Sequence, residues 1–517
     1  MLPRSLRFGL AFIPLTLAAC SSTTTESGGY GMPNASNAAP PSAGASKSTA
    51  PSDPQTGETY DKVQENDWIE TAKTAASTFA IDVDTGSYTL MRRDITAKRI
   101  PVEAGVRPEE YLNYFKYSYD PPTDGKPFAV HVDAAPSFFG ADPTNAANAV
   151  HLIRVGLQGK IIPVEQRAPA NLVFLVDVSG SMQDPNKLPL VQYTLKQLVK
   201  KLSPSDTLGI VTYAGAEKVL IPSTAVTAAN KGIILDAIDG LTSGGSTNGE
   251  GGIKKAYEVA EAGVAQNSTN RVILCTDGDF NVGLTGDALI NLIESERDKG
   301  VTLTTLGFGA GNYNDRDMEK LADHGNGNYA YIDGPGEANR VLGEKLVSTL
   351  QVIAKDVKIQ VEFSPNTVAR YRLVGYENRV MANEDFRNDA KDAGELGAGH
   401  SVTALYEAVF LPGAANEADL ATVRLRYKDP EAADTTTATE FATSLKLANV
   451  HATFDAAPAD FRFAAATAEF AEILRRSKHS TGTRFDDVIN IASATTGGQA
   501  DRTEMVTLAQ SAKTFFK

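Results

Sequence analysis

Short apolar runs alternate with longer amphipathic stretches between residues 171 and 353. The runs are rich in Val, Ile and Leu and are apolar throughout. Such runs are typical of strands buried on both faces, and the stretches between them have the spacing of helices. The pattern predicts strands at 172–176, 208–213, 272–276, 303–308 and 328–332, and helices at 188–202, 250–265, 287–298, 316–323 and 337–349. We therefore expect an α/β fold with a doubly wound, mainly parallel sheet.

The flanking sequence predicts further units. Before the sheet, strand patterns at 78–84, 128–134 and 151–157 accompany two helices, one at 88–97 and one with Pro108 in its first turn. After it, the pattern turns β-rich and then helical, with Phe463, Ala466, Phe470 and Leu474 spaced for one helix face. The predicted organisation is an N-terminal α/β region (68–166), a central domain (167–355), a β-sandwich-like region (356–455) and a C-terminal helical region (456–517).

The first residues are typical of an exported lipoprotein. Arg4 and Arg7 precede a short apolar run that contains Pro14 and ends in Leu-Ala-Ala-Cys20. The run is too short to span a bilayer and has the parts of a secretory signal. A cysteine at this position resembles a lipobox, which implies a signal peptide at 1–19 and a lipid on Cys20. The alternative is an ordinary signal peptide with an incidental cysteine.

The sequence after Cys20 indicates how the protein is displayed. Residues 20–67 are mostly Ser, Thr, Gly, Ala, Pro and Asn, which predicts a disordered tether with ordered sequence starting near Trp68. Ser21 and Ser22, with no aspartate beside them, favour the outer membrane by analogy with lipoprotein sorting. We expect a cell-envelope protein anchored to the membrane through its lipid.

The net charge limits the classes of partner, and the cysteine content limits the disulfides that the chain can form. The net charge of −14 argues against nucleic acid and anionic lipid, both of which favour basic surfaces. With Cys20 lipidated, only Cys275 remains, so no internal disulfide is available. Cys275 lies within an apolar run, which predicts a buried, unreactive thiol.

Oxygen-bearing side chains follow two of the predicted strands. Asp177, Ser179 and Ser181 come directly after the first strand, where alternate residues point the same way. A glycine-rich loop then offers the Thr247 hydroxyl, and a later strand ends at Asp277. The carboxyl ends of parallel strands share one edge, where ligands bind. Two carboxylates and three hydroxyls favour Mg2+, with Mn2+ or Ca2+ as alternatives, over zinc or copper.

These motifs resemble the metal-ion-dependent adhesion site (MIDAS) of von Willebrand factor type A (VWA) domains. All five positions match: Asp177, Ser179, Ser181, Thr247 and Asp277. The resemblance implies that the serines, and often the threonine, bind the metal directly and the aspartates largely through water. It further implies that an Asp or Glu carboxylate of a protein partner completes the coordination.

The resemblance extends beyond the metal motif. Four segments, residues 77–88, 110–115, 153–159 and 398–407, resemble the YfbK-type bacterial VWA lipoproteins; we call them the YfbK-like segments. That family is defined by its domains rather than by a biochemical activity. The resemblance therefore implies an architecture and a metal site, but no particular partner.

Other polar groups have simpler interpretations. Asp82 and Asp84 follow a strand and are candidates for a second cation site, although a helix-capping turn is favoured because no completing loop is evident. The acidic loop at 312–317 is also interpreted as a helix cap. The six histidines are scattered and are expected to be structural or exposed: His131, His151, His324, His400, His451 and His479.

Three functions are compatible with the predicted site. The first is a binding module that engages a protein carboxylate through the metal. The second is a metal-dependent hydrolase, which would need a general base, for which Asp279 is the one spare acid near Asp277. The third is a scaffold whose metal site is filled by an acidic residue of a flanking region. We expect the first, with no catalytic residues.

Overall fold

The computed structural model describes residues 57–62, 64–140, 149–265, 268–278, 286–311, 313–432, 436–480 and 482–516. The predicted signal segment, Cys20 and the greater part of the predicted tether lie outside these residues. No helix within them is long and apolar enough to cross a membrane.

Strands and helices are numbered in chain order. The strands are β1 (Ile69–Glu70), β2 (Ala76–Ala80), β3 (Phe128–Pro136), β4 (Val150–Gly159), β5 (Ala170–Asp177), β6 (Thr207–Tyr213), β7 (Glu217–Ala225), β8 (Thr269–Thr276), β9 (Val301–Phe308), β10 (Tyr329–Ile332), β11 (Val352–Phe363), β12 (Val368–Val374), β13 (Val380–Met381), β14 (Gly394–Gly397), β15 (Ser401–Phe410), β16 (Asp419–Lys428) and β17 (Thr439–Lys446). The helices are α1 (Gly86–Thr96), α2 (Pro108–Tyr114), α3 (Leu188–Lys201), α4 (Ala228–Asp239), α5 (Gly249–Ala262), α6 (Asp287–Asp298), α7 (Asp315–His324), α8 (Pro335–Asn339), α9 (Leu346–Leu350), α10 (Ala459–Leu474), α11 (Phe485–Ala494) and α12 (Ala500–Phe515).

The central sheet is the predicted doubly wound sheet. Its strand order is β10-β9-β8-β5-β6-β7, parallel from β10 to β6. Side chains of α3, α4, α8 and α9 pack on one face, and those of α5 and α6 pack on the other. Every residue of β5 is buried, as a strand covered on both faces requires. The α/β fold class predicted from the hydrophobic pattern is confirmed.

The outer strands form two antiparallel sheets that differ from the predicted sandwich. The sheet orders are β1-β12-β15-β4-β3 and β13-β2-β11-β16-β17, with β14 beside β11. Each outer sheet therefore contains strands from before and from after the central domain. The sequence pattern instead predicts a sandwich formed by residues 356–455 alone. Phe79 in β2 illustrates the reason, because it is fully buried against the rings of Tyr376 and Tyr406. The central domain is inserted between β4 and β11.

The two ends of the central domain lie side by side. The Ala168 amide, just before β5, donates a hydrogen bond of 2.8 Å to Oε1 of Gln351, just after α9. The Thr269 hydroxyl, at the start of β8, donates a 2.6 Å bond to the Leu350 carbonyl. The chain thus enters and leaves this domain at the amino-terminal edge of the parallel strands.

Buried ion pairs join the N-terminal helices to the central domain. Arg107, at the start of α2, contacts Glu110 and also Asp315 of α7, with 2.6 Å between Nη1 and Oδ2. Arg92 of α1 binds Asp333 at 2.6 Å and Glu337 of α8 at 2.9 Å. The C-terminal helical region predicted at 456–517 contains α10, α11 and α12, and α10 packs with α1, α2, α11 and α12 around one aromatic-rich core.

The prediction of a disordered tether is wrong for the carboxyl end of that segment. Residues 57–62 and 64–67 are described, and Tyr60 is 2% exposed, packed in a cluster with Leu90 and Tyr331. The Thr59 amide donates to the Tyr313 carbonyl at 3.0 Å, and Glu58 binds Arg93 at 2.7 Å. These tertiary contacts supply burial that the polar composition of this stretch does not indicate.

Candidate metal-binding site

The Asp177 carboxylate lies buried at the carboxyl end of β5, as predicted. Its Oδ1 accepts a 2.8 Å hydrogen bond from the Ser179 amide, which folds the following loop back over the strand end. Its Oδ2 accepts bonds from the Tyr213 hydroxyl at 3.0 Å and the Thr276 hydroxyl at 3.1 Å. The Ser179 and Ser181 hydroxyl oxygens are 3.0 Å apart, so the alternate residues do face one space.

Backbone hydrogen bonds hold the glycine-rich loop against this strand end. The Gly244 amide donates to the Val178 carbonyl at 2.8 Å, and the Gly180 amide donates to the Gly245 carbonyl at 3.1 Å. Gly245 has φ of +87°, which favours glycine. The loop brings Thr247, half-buried, to the same edge as Ser179 and leads into α5.

Asp277 follows β8 at the same edge and is 3% exposed. Its Oδ2 lies 2.9 Å from the Lys187 ammonium, a buried ion pair that the sequence motifs do not indicate. The next residue, Gly278, has φ of +87°, and a Cβ there would lie 2.6 Å from the Asn314 amide nitrogen. The glycine after Asp277 is therefore required by the close approach of the α7 loop.

The chemistry of this donor set suits a hard divalent cation. In the described residues, Asp177 is contacted by hydroxyls and an amide but by no cationic side chain. Burial, and to a lesser extent the charge of Asp277, raise the pKa of Asp177. No group of three or more His, Cys, Asp or Glu side chains in the described ranges is placed to hold a metal. With only two carboxylates, this site would draw its remaining ligands from hydroxyls.

The favoured interpretation of Asp82 and Asp84 as caps is wrong. The helix α1 begins after Thr85, and no side chain caps it. Asp82 instead accepts from the Asp84 amide at 2.9 Å, and Asp84 accepts from the Tyr329 amide at 2.8 Å. Both carboxylates lie near the Arg379 guanidinium, at 3.6 and 3.4 Å. That arginine, remote in sequence, supplies the balancing charge.

The remaining candidates are structural in the described part of the chain. Asn314 caps α7 by accepting from the Asp317 amide, as predicted for its loop, in which Asn312 lies outside the described residues. Cys275 is fully buried, and burial raises the pKa of its thiol. Asp279, considered above as a general base, also lies outside the described residues. The contacts that sequence reasoning missed are those of Tyr213 and Lys187, for which no motif gives a signal.

Comparison with known protein families places the central domain in the VWA class. The von Willebrand factor type A domain model matches residues 171–340, and the von Willebrand factor model matches residues 54–144. VWA domains commonly bind a divalent metal at their metal-ion-dependent adhesion site and typically mediate protein interactions. A model for the C-terminal part of the uncharacterized protein YfbK matches residues 348–515.

One relative covers most of the chain. The uncharacterized protein YfbK of Escherichia coli (strain K12) is 36% identical over 476 residues, which cover 87% of this chain and 80% of the relative. The chain belongs to the YfbK-type family of VWA-domain proteins. An uncharacterized protein of Synechocystis is 30% identical over 186 residues, covering 36% of this chain and 43% of that protein. A solved von Willebrand factor type A protein from Catenulispora acidiphila matches 76% of this chain and 91% of its own, at 15% identity and a TM-score of 0.43.

Proposed function

We propose that this protein is a lipid-anchored envelope protein whose VWA domain binds a protein partner through a divalent cation. The observation that supports the proposal is that Asp177 and Asp277 lie at the carboxyl ends of β5 and β8, where backbone hydrogen bonds hold the loop that carries Thr247. Ser181, beside Ser179, is exposed, so the site is open to a macromolecule. The ligand chemistry favours Mg2+, with Mn2+ and Ca2+ as alternatives of the same kind.

The charge balance of the site supports a carboxylate as the outside ligand. Asp177 and Asp277 supply two negative charges, and the ammonium of Lys187 neutralises part of this charge. A divalent cation bound here would therefore leave a net positive site, able to attract one further carboxylate. Acidic side chains of a partner protein carry such a group.

We propose a binding role rather than a catalytic one. Metal-assisted hydrolysis needs a general base beside the reacting water. The groups that contact Asp177 in the described structure are hydroxyls and a backbone amide, which do not act as bases at neutral pH. These contacts hold the carboxylate in place.

Partner capture tests this function. Full-length protein is immobilised, and envelope proteins are captured with Mg2+ or with a chelator. Thr247→Ala removes one hydroxyl at the sheet edge without touching the core, so the fold should survive and capture should fall. Loss of a contact between a hydroxyl and a charged group costs about 1.5–3 kcal/mol, so capture should fall at least about tenfold.

The matched control is Thr242→Ala, the same change at an exposed position of the same loop. It should capture partners as the wild type does. A partner set that changes with neither the chelator nor Thr247→Ala would contradict metal-dependent binding and identify the site as structural.

The anchor is tested separately. We propose that the lipid on Cys20 attaches the protein to the envelope, on the outer membrane side. Cys20→Ala should remove the lipid and shift the protein from the membrane fraction to the soluble fraction. Metabolic labelling with a fatty-acid analogue and detergent phase partition measure the change. A Cys20→Ala protein that still enters the detergent phase would be evidence against lipid anchoring.

A further inference from the structure

A cavity lies where the central domain joins the outer sheets. Its volume is about 400 Å3, a size typical of small-molecule sites. Its wall includes Lys345 and Val347, which lie near the end of the central domain. A few residues further along, the Leu350 carbonyl accepts a hydrogen bond from Thr269 at the start of β8. The cavity therefore lies towards the amino-terminal edge of the strands, whereas Asp177 and Asp277 lie at the carboxyl edge.

Each of the four YfbK-like segments supplies part of this wall. Val83 comes from the first segment, Asn113 and Phe115 from the second, Gln158 from the third and His400 from the fourth. The Gln158 amide reaches the carbonyls of the turn that carries His400, at 3.4 Å. Segments separated by some 300 residues in the sequence are thus assembled around one space by the outer sheets.

The cavity has a positive balance of charge in an otherwise acidic protein. Its described wall carries Lys345 and Lys116, with one acidic residue, the exposed Glu344. Among the described residues, no carboxylate lies within ion-pair distance of the Lys345 ammonium. Burial, followed by the charge of Arg340, holds the pKa of Lys345 well below its usual range. An ammonium that lacks a counter-charge is stabilised by an arriving anion.

Two further polar groups in the wall have no hydrogen-bond partner among the described residues. The Tyr117 hydroxyl and His400 Nδ1 are buried and make no hydrogen bond to a described residue. Tyr117 itself is 7% exposed. Buried polar groups are normally hydrogen-bonded, so unpartnered polar groups in the same cavity wall as a lysine mark a place for polar atoms of a ligand. Phe115 and Val347 provide an apolar surface in the same cavity.

We propose that this cavity binds a small organic anion, whose carboxylate or phosphate group contacts Lys345 and Tyr117 and whose apolar part lies against Phe115 and Val347. The site is separate from the VWA metal site and does not depend on the function proposed for it. Lys345, which the anion stabilises in its protonated form, supplies the charge, and the tyrosine hydroxyl supplies a directed hydrogen bond.

Calorimetric titration of the full-length protein tests this site. Benzoate, inorganic phosphate and the neutral isostere benzamide are titrated in the presence of EDTA, which prevents carboxylate binding at the metal site. Benzoate should bind in the millimolar range or tighter, and benzamide at least about tenfold more weakly, because the charge contact is lost. Phosphate binding that exceeds benzoate binding would assign the site to a phosphate group.

Two variants and one control locate the binding. Lys345→Met removes the charge at similar length and should weaken benzoate binding about tenfold or more. Tyr117→Phe keeps the ring and removes only the hydroxyl, so it should weaken binding less. The matched control, Lys73→Met, changes an exposed lysine outside the cavity and should bind as the wild type does.

The melting temperature separates this role from a structural one. Because Lys345 has no ion-pair partner among the described residues, Lys345→Met should melt at or above the wild-type temperature. The proposal is overturned if neither anion binds the wild type, or if Lys345→Met and Tyr117→Phe both bind benzoate as the wild type does. It is also overturned if benzamide binds as tightly as benzoate.

Discussion

Arg107→Met should lower the free energy of unfolding by about 3–5 kcal/mol, the usual cost of removing one side of a buried ion pair. The guanidinium is 6% exposed and contacts Asp315, which is fully buried, and Glu110, which is also fully buried. Without Arg107, these carboxylates remain in the interior with no compensating charge. Chemical denaturation of both proteins, followed by circular dichroism, measures the difference.

An exposed arginine provides the control. Arg424 binds Glu362 at 3.1 Å, and the two side chains are 31% and 49% exposed. Arg424→Met should therefore cost at most about 1 kcal/mol. Adding Asp315→Asn to Arg107→Met should recover part of the loss, because it removes one uncompensated charge. If Arg107→Met and Arg424→Met are equally stable, the ion pairs of Arg107 do not hold the central domain to the N-terminal helices.

Mg2+ should stabilise the wild type and leave Asp177→Ala unchanged. A ligand that binds only the folded state adds about 2.7 kcal/mol at one hundred times its dissociation constant. Asp177 is the one carboxylate of the site that no described cationic side chain contacts, so its removal should abolish metal affinity most completely. Thermal unfolding with increasing Mg2+, and separately with Mn2+ or Ca2+, measures the effect.

Lys196→Met is a suitable comparison, because Lys196 lies on the outer face of α3 and pairs with the exposed Asp239. It should retain the full response to Mg2+. An equal rise in melting temperature for Asp177→Ala would mean that the metal binds elsewhere. The carboxylates of Asp82 and Asp84, near Arg379, would then be examined first.

The central sheet could be predicted from sequence because its strands are apolar along their whole length. The prediction omitted β7 and α4, for which the pattern is weak. β7 is an edge strand in which only Ile221 is buried, and α4 buries only Ile234 and Ile238. The helix predicted at 337–349 is interrupted, since α8 and α9 flank a π-helical turn from Arg340 to Glu344.

The outer sheets could not be predicted because their pairing is remote. Ile359 in β11 lies opposite Phe79 in β2, and no local pattern indicates that two strands so far apart are neighbours. The same limit applies to the candidate sites. The five residues proposed to bind the metal are chosen from their spacing, whereas Lys187 and the cavity around Lys345 are created by tertiary contacts.

The joined ends of the central domain have a consequence for how the chain folds. The strand β2 has partners only in β11 and β13 within the described structure, so pairing it with β11 closes a loop of about 280 residues. Once residues 168 to 351 have folded and brought Ala168 beside Gln351, about 100 residues remain in that loop. The free-energy cost of closing the loop then falls by about 1 kcal/mol. We expect the central domain to fold first and β2 to stay unpaired until β11 has been synthesised. During that interval the Phe79 ring of β2 is not buried by β11, which leaves the strand open to aggregation.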